Sequence, residues 1–215
     1  YSQLVRPGAP VIFGAFVSSI DMNSGAPTFG TPEASMVTYG AGQLARRLGV
    51  PFRSAGSFCG SKLPDAQAAY ETANSLNMGL MAGVNFMLHS CGWLEGGLVA
   101  DFEKFVMDAD QLGVLHGLAK GIAVDENAQA MDAIREVGGE GHFFGIQHTQ
   151  DRYTTAFYQP FLSDWRNFEA FELAGGVWTA ERAHKKFKEI LQDYEAPPMD
   201  EAIRQELAEF VERRK

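Results

Sequence analysis

The sequence contains very little cysteine, only Cys59 and Cys91 in 215 residues. Two cysteines are too few for a disulfide framework, so reduced thiols in a cytosolic protein are the simplest expectation. No apolar run approaches the ~20 residues that a membrane-spanning helix needs. The first residues also lack the basic and apolar segments of a secretory signal. We therefore expect a cytoplasmic protein that does not contact membranes.

A basic excess is missing as well, because the formal net charge is −9. A nucleic-acid-binding surface normally needs a clustered basic face, so we predict no nucleic-acid partner. The glycines at 138–141 do not match a GxGxxG pattern between a strand and a helix, and we reject dinucleotide binding on that basis. The GxxxxGK[ST], HExxH and GxSxG patterns of other enzyme classes are also absent.

The chain does contain short β-branched or aromatic runs that alternate with longer helical patterns. Hydrophobic residues make up 46% of it, which predicts a packed core. We predict strands at 10–16, 50–55, 84–90 and 141–146, and helices at 31–48, 65–82, 101–120 and 125–137. Such alternation is typical of parallel β/α architecture. Two amphipathic helices, 179–194 and 199–215, follow on either side of Pro197-Pro198.

The predicted fold is α/β: about half of an eight-stranded TIM-type (β/α) barrel, with a C-terminal helical extension. A complete barrel typically takes ~250 residues, and only a few repeating units are present here. We assign residues 1–178 to the half barrel and 179–215 to the extension. Because Tyr1 stands close to the first strand, we expect the chain to begin inside a larger polypeptide. A half barrel exposes its edge strands and inner face, so we predict that it pairs with its missing half or forms a homo-oligomer.

Candidate catalytic residues follow the predicted strands, because barrel enzymes carry such residues at the carboxyl ends of their strands. Asp65 opens a predicted helix, and it equally fits a simple N-cap. Gln67 and Glu71 share one face of that helix, where they reach a ligand or only solvate the helix start. Glu95 stands between a tryptophan and two glycines, which exposes a carboxylate on a flexible turn.

His89 has three interpretations. It is an acid/base group next to Glu95, a zinc ligand together with Cys91 and either His142 or His148, or an incidental histidine at a packed strand end. The spacing of these residues is weak evidence for a metal site, so we assign no metal ligand.

Polar residues also occur on the predicted helix 101–120. Glu103 and Lys104 near its start are predicted to be solvated or capping groups. Asp108 lies within an apolar pattern, and we predict a structural hydrogen bond for it.

Aromatic residues are plentiful, at 12% of the chain. Those near the predicted loop ends are Phe29, Phe58, Trp93, Phe143, Phe144 and Tyr158. A cage of such rings would suit a methylated ammonium, which has no hydrogen-bond donor once fully methylated. The alternative is that most of these rings belong to the core.

Five segments are distinctive when they are taken together and in order. They are Gly25-Ala-Pro-Thr-Phe-Gly-Thr-Pro-Glu33, Asp65-Ala-Gln-Ala-Ala-Tyr-Glu71, Gly92-Trp-Leu-Glu-Gly-Gly97, Gly138-Gly-Glu-Gly-His-Phe-Phe-Gly145 and Ser163-Asp-Trp-Arg-Asn-Phe168. In this order they resemble motifs of the trimethylamine methyltransferase (MttB-like) superfamily. The resemblance covers nearly the whole chain, and it implies that the N-terminal half of a complete barrel is absent here.

The resemblance also implies an activity, the transfer of a methyl group from a tertiary or quaternary amine to the cobalt of a separate corrinoid protein. Because no pyrrolysine is present, it favours the branch that uses betaine-like quaternary amines. On this basis Glu95 and Asp65 would balance the substrate charge, and Gln67 and His89 would hold a betaine carboxylate. The remaining substrate-binding candidates are Phe29, Phe58, Trp93, His142 and Phe144.

Two other functions stay open at this point. The chain is a catalytically silent half barrel that serves in assembly or binding, or it is a zinc-dependent barrel enzyme.

Overall fold

A computed structural model describes residues 1–54 and 56–215, and its centre is a three-stranded parallel sheet. The strands are β1 (Phe13–Ala15), β2 (Ser19–Ile20), β3 (Pro27–Thr28), β4 (Phe52–Ser54), β5 (Phe86–Met87), β6 (Trp93–Leu94) and β7 (Val99–Ala100). The helices are α1 (Ser2–Val5), α2 (Pro32–Leu48), α3 (Ala66–Met81), α4 (Phe102–Ala119), α5 (Glu126–Gln129), α6 (Met131–Val137), α7 (Gln147–Gln150), α8 (Phe168–Leu173), α9 (Thr179–Gln192) and α10 (Glu201–Glu212). The sheet order is β1-β4-β5.

The parallel sheet connected through α2 and α3 confirms the predicted β/α architecture. The first three predicted strands all contain a strand, although each is shorter than predicted. Ala55, the last residue of the predicted strand 50–55, lies outside the described residues. The described residues form no closed barrel, so the half barrel remains a prediction.

The two faces of the parallel sheet differ in burial. Phe52 is 1% exposed and packs with Ala45 of α2 and with Ala82 just after α3. Gly42 permits this contact, because a Cβ there would lie 2.4 Å from the Ala82 carbonyl oxygen. The opposite face carries the registered row Gly14, Arg53 and Phe86, and Phe86 is 56% exposed. Helices therefore cover one face, and the other is open.

Most helix boundaries agree with the predictions because the sequence carries clear capping residues. Asp65 caps α3 by accepting a hydrogen bond from the Ala68 amide, and Asp101 caps α4 through the Lys104 amide. Gly49 ends α2 in the left-handed conformation that glycine adopts at no cost in side-chain strain. Among the described residues, no helix is both long and apolar enough to cross a membrane.

Two predicted elements are wrong. The segment 141–146 is not a strand, because Phe143–Gly145 forms a single 3-10 turn. Its aromatic run resembles a strand in composition, but it contains just one β-branched residue and pairs with no described strand. The predicted helix 125–137 is split into α5 and α6 by Ala130, whose φ is +53°.

The two C-terminal helices differ in their packing. Ala183 and Phe187 of α9 are buried with Val106 of α4 and with Leu162. The Phe187 ring also stacks on Phe102, with 5.1 Å between their centroids. By contrast, α10 has no buried residue. The division into residues 1–178 and 179–215 stays a prediction, since α9 packs directly on α4.

Candidate functional site

Five rings meet where the parallel strands end, and we call them the ring cluster: Phe16, Phe29, Phe58, His89 and Trp93. Phe16 directly follows β1, and Phe58 and His89 come shortly after the ends of β4 and β5. Phe29 follows the hairpin of β2 and β3, and Trp93 begins β6. The carboxyl ends of parallel strands meet at one edge of a sheet, so distant segments converge here.

Phe58 is the centre of the ring cluster. Its centroid lies 4.7 Å from that of His89, 5.2 Å from Phe16, 5.3 Å from Phe29 and 5.6 Å from Trp93. These separations are typical of favourable aromatic pairs. The structure therefore brings together four of the predicted site residues and adds Phe16, which the sequence analysis placed only as the end of a strand.

A ligand would approach the ring cluster from its solvent-exposed side. A cavity of about 20 Å³ behind Phe16, Phe29 and Phe58 has room for a water molecule but not for a methylated ammonium. Phe16 is 50% exposed, whereas Phe29 is 8% exposed. A ligand would therefore contact Phe16 and the half-buried rings of Phe58, His89 and Trp93.

Glu95 lies on a turn that touches the ring cluster. Its amide donates to the Ser61 carbonyl at 2.8 Å, and the Gly96 amide donates to the Cys59 carbonyl at 2.7 Å. A Cβ on Gly97 would lie 2.2 Å from the Phe58 ring. The turn therefore packs against the Phe58 ring of the cluster, while the Glu95 side chain is exposed.

His89 and Glu95 are two of the three non-glycine residues with positive φ in the described chain, at +53° and +49°. Such conformations cost on the order of 1–3 kcal/mol and persist where surrounding contacts impose them. For His89 those contacts come from Ser57, whose amide and hydroxyl both donate to the His89 carbonyl at 2.8 and 3.1 Å. The imidazole is therefore aimed at the rings by hydrogen bonds to its own backbone.

A buried ion pair holds the loops below the ring cluster. Lys104 is 1% exposed, and its Nζ donates to Asp108 Oδ1 at 2.7 Å, to Thr72 Oγ1 at 2.8 Å and to the Ser57 carbonyl at 3.4 Å. Asp108 Oδ2 accepts from the Gly92 amide at 2.9 Å. The pair therefore connects α3 and α4 with the loops that carry Phe58 and Trp93.

This ion pair corrects one prediction and confirms another. Lys104 is not solvated, and the fourfold spacing to Asp108 on one helical face is the signal that identifies its partner. Asp108 makes the structural hydrogen bonds that were predicted. Burial raises the pKa of the Asp108 carboxyl, and the Lys104 ammonium acts against that rise.

Asp65, Gln67 and Glu71 lie next to the cluster without entering it. Asp65 Oδ1 accepts from the Ala68 amide at 3.0 Å and from the Ser61 hydroxyl at 2.8 Å, and these hydrogen bonds lower the pKa of the carboxyl. Gln67 Nε2 donates to Glu71 Oε1 at 2.9 Å, and the second Glu71 oxygen accepts from the Gly60 amide. Asp65 and Glu71 therefore fix the loop that follows Phe58 and Gln67 holds Glu71, while any contact with substrate stays a prediction.

His142 and Phe144 are not brought to the ring cluster. Their rings lie 5.9 Å apart on the exposed 3-10 turn, and no ring contact joins them to the five rings in the described part of the chain. Their expected position rested on a strand that does not form, so their role in binding remains a prediction that the geometry of this chain does not support.

The two cysteines are free thiols, with Cys59 buried and Cys91 partly buried. Burial raises the pKa of Cys59 and of Cys91 to about 11, which keeps both thiols protonated near neutral pH. The Cys59 thiol donates to the Trp93 carbonyl at 3.2 Å. Within residues 1–54 and 56–215, no group of three or more metal-binding side chains occurs.

Arg53 is a candidate that the sequence analysis missed. It lies on the open sheet face beside Gly14, where a Cβ would be 3.8 Å from the Arg53 Nη1 atom. Among the described residues it forms no salt bridge. An arginine that alternates with the buried residues Phe52 and Ser54 was the available signal, because alternate residues of a strand point to opposite faces.

Comparisons with known proteins place the sequence in a family. The sequence matches the trimethylamine methyltransferase (MTTB) family over residues 1–215. It is 38% identical over 213 residues to glycine betaine methyltransferase of Desulfitobacterium hafniense strain Y51, covering 99% of this chain and 44% of the relative. It is 32% identical to trimethylamine methyltransferase MttB of D. hafniense strain DSM 10664 / DCB-2, and 29% identical to MttB of Methanosarcina barkeri strain Fusaro / DSM 804, covering 98% and 99% of this chain and 42% of each relative.

The chain spans less than half the length of these curated relatives. The match nevertheless covers every residue of the chain, from the first strand through α10. This chain belongs to the trimethylamine methyltransferase (MTTB) family.

Proposed function

We propose that this chain supplies part of the substrate site of an enzyme that transfers a methyl group from a quaternary, betaine-like amine to the cobalt of a separate corrinoid protein. The observation that carries this proposal is the ring cluster at the carboxyl ends of the parallel strands. A fully methylated ammonium donates no hydrogen bond, so aromatic faces bind it by cation–π attraction. Family membership and the name of the glycine betaine relative support the reaction class.

Carboxylates next to the rings would balance the positive charge of the substrate. Glu95 is the candidate nearer to the rings, because Gly97 of the same turn packs against Phe58. The Asp65 side chain accepts the N-cap hydrogen bond of α3, so we expect it to act on the substrate charge from a longer distance. If Glu95 contributes to the transition state, Glu95→Gln lowers the rate of methyl transfer to free cob(I)alamin; an unchanged rate removes this role.

A betaine also carries a carboxylate, and Arg53 is suited to bind it. Its guanidinium offers paired donors that match the two oxygens of a carboxylate, and it lies on the face of the sheet opposite to the one that α2 and α3 cover. His89 and Gln67 are the other candidates for this group. Trimethylamine has no carboxylate, so this arrangement favours a betaine over trimethylamine.

The chemistry requires orientation more than proton transfer. A quaternary nitrogen is already positive, so the amine leaves neutral without receiving a proton. The corrinoid of the partner protein supplies the Co(I) nucleophile that accepts the methyl group. The residues of this chain would hold the N–CH3 bond in line and exclude water. Phe16 is 50% exposed, which leaves the cluster accessible to a cofactor carried by another protein.

The ligand can be tested by calorimetry with glycine betaine and with 3,3-dimethylbutyrate, the isostere that keeps the carboxylate but has a neutral carbon in place of the positive nitrogen. We expect betaine to bind about 2- to 30-fold more tightly, which corresponds to a cation–π term of ~0.5–2 kcal/mol. The preference should be lost in Phe58→Leu. It should be kept in Phe157→Leu, because Phe157 is 77% exposed and lies outside the cluster.

Equal affinity for both compounds in the wild-type chain would contradict a cation–π site. Methyl transfer is measured in a separate assay with the protein that contains this chain. The readout is the betaine-dependent loss of absorbance of added cob(I)alamin. Betaine binding without methyl transfer would instead favour the silent binding module.

A further inference from the structure

The C-terminal helix α10 has an apolar stripe that nothing in the described chain covers. Ile203, Leu207, Phe210 and Val211 follow a spacing of three and four residues, so they share one helical face. Each is about half exposed, at 53%, 49%, 48% and 53%. The equivalent face of α9 shows what such a stripe normally does, because Phe187 is buried there against α4.

Opposite charges mark the two ends of this stripe. Asp200 precedes Leu207 by seven residues, and Arg214 follows it by seven. Asp200 is the N-cap residue of α10 and Arg214 follows its C-cap residue Arg213, so the two charges stand at opposite ends of the helix that carries the Leu207 face. Arg214 is seen on that face, with its guanidinium carbon 3.8 Å from the centroid of the Phe210 ring.

Neither charged group forms an ion pair among the described residues. Asp200 caps α10 through one oxygen, Oδ1, which accepts from the Ala202 amide at 2.9 Å and the Ile203 amide at 3.4 Å. Its second oxygen accepts no hydrogen bond within residues 1–54 and 56–215. The ion pairs of this region join Arg204 to Glu201 and Lys215 to Glu212, which leaves Asp200 and Arg214 outside them.

We propose that α10 pairs antiparallel with α10 of a second copy of this chain, with Leu207 on the two-fold axis. In this arrangement Leu207 contacts its own symmetry mate, and Ile203 faces Val211 of the second copy. Asp200 faces Arg214 of the second copy, and symmetry forms this ion pair twice. The surface is self-complementary, as a two-fold interface requires.

The charges also disfavour the parallel arrangement. Parallel helices would place Asp200 against Asp200 and Arg214 against Arg214, and like charges at close range repel. A second copy carries the matching stripe and the matching charges by necessity, whereas a different protein would need both independently. The inference does not depend on the proposed substrate, because α10 contributes no residue to the ring cluster.

The register is tested by cysteine crosslinking in the full chain. Leu207→Cys should form a disulfide dimer under mild oxidation, because the two Cys residues would face each other across the axis. Gln205→Cys is the matched control, since it lies on the opposite side of the same helix and should remain uncrosslinked. The wild-type chain controls for Cys59, which is buried, and for Cys91, which is partly buried.

The charge pairing is tested by exchanging the signs. Asp200→Arg and Arg214→Asp should each weaken self-association about tenfold, measured by analytical ultracentrifugation. An equimolar mixture of the two variants restores both ion pairs and should form a heterodimer. Recovery in the mixture separates the ion pair from a simple loss of the helix cap in Asp200→Arg. A monomeric wild-type chain, or a dimer that neither crosslinks through residue 207 nor responds to the charge exchange, would overturn the proposal.

Discussion

Replacing Lys104 by methionine is expected to destabilise the chain much more than breaking an exposed ion pair. Methionine keeps most of the apolar length of lysine but removes the charge, so Asp108 stays buried without its ion-pair partner, while the Gly92 amide still donates to it. Removing one partner of a buried pair costs about 3–5 kcal/mol, because the other charge is left desolvated and unpaired. For a chain of this size, that loss lowers Tm by roughly 6–20 °C.

The matched control is Arg135→Met. Arg135 pairs with Asp132 on α6, and the two side chains are 70% and 99% exposed. Such a surface pair contributes only ~0–1 kcal/mol. Urea unfolding followed by circular dichroism measures both variants. The double variant Lys104→Met with Asp108→Leu should recover part of the loss, because it leaves no charge buried.

The pH dependence gives a second readout of the same pair. Burial already raises the pKa of Asp108, and removing Lys104 raises it further. An acid whose pKa is raised by folding destabilises the folded state when it is ionised. This cost is present above the folded pKa and disappears as the pH falls towards the unfolded value of ~3.9. The difference in unfolding free energy between wild type and Lys104→Met should therefore narrow at low pH. A loss no larger than that of Arg135→Met, or one independent of pH, would refute the role of this pair.

Two further substitutions test one contact at the ring cluster and one contact away from it. Gly97→Ala should displace Phe58 and weaken betaine binding, because the new Cβ would lie 2.2 Å from the ring; Gly121→Ala controls for positive φ alone, since it has no neighbour within 4 Å. Asp110→Asn should lower stability by about 1.5–3 kcal/mol and speed proteolysis near Ser163, because Asp110 accepts hydrogen bonds from that segment at 2.8–3.2 Å. Unchanged betaine affinity in Gly97→Ala, or unchanged cleavage in Asp110→Asn, would contradict the respective contact.

The elements that the sequence predicted well carry strong local signals. Asp65 and Asp101 cap their helices, and Gly49 ends α2, so the limits of these elements follow from single residues. The strand after α2 was also identifiable, because Phe52 lies in a short run between a helix-ending glycine and a glycine-rich loop. Local chemistry of this kind needs no knowledge of the rest of the fold.

Two errors, the strand at 141–146 and the exposure of Lys104, have a different origin, because they depend on contacts between distant segments. A strand at 141–146 would need a partner, and the described chain offers none. Lys104 was taken for a surface residue because its burial follows from Thr72 on α3 and Ser57 in a loop, which no local pattern reveals. The meeting of Phe58, His89 and Trp93 was anticipated only through the rule that functional loops share one edge of a parallel sheet.

The ring cluster draws its members from separate strand ends, and this has a consequence for folding. No continuous segment can preform the site, so it comes into existence only when β1, β4 and β5 have adopted their final register. The Trp93 ring stacks on Phe58, with 5.6 Å between their centroids, so we expect Trp93 fluorescence to change when the strands adopt this register. A chain that has collapsed before its strands pair in this register would lack the proposed binding site for a methylated amine.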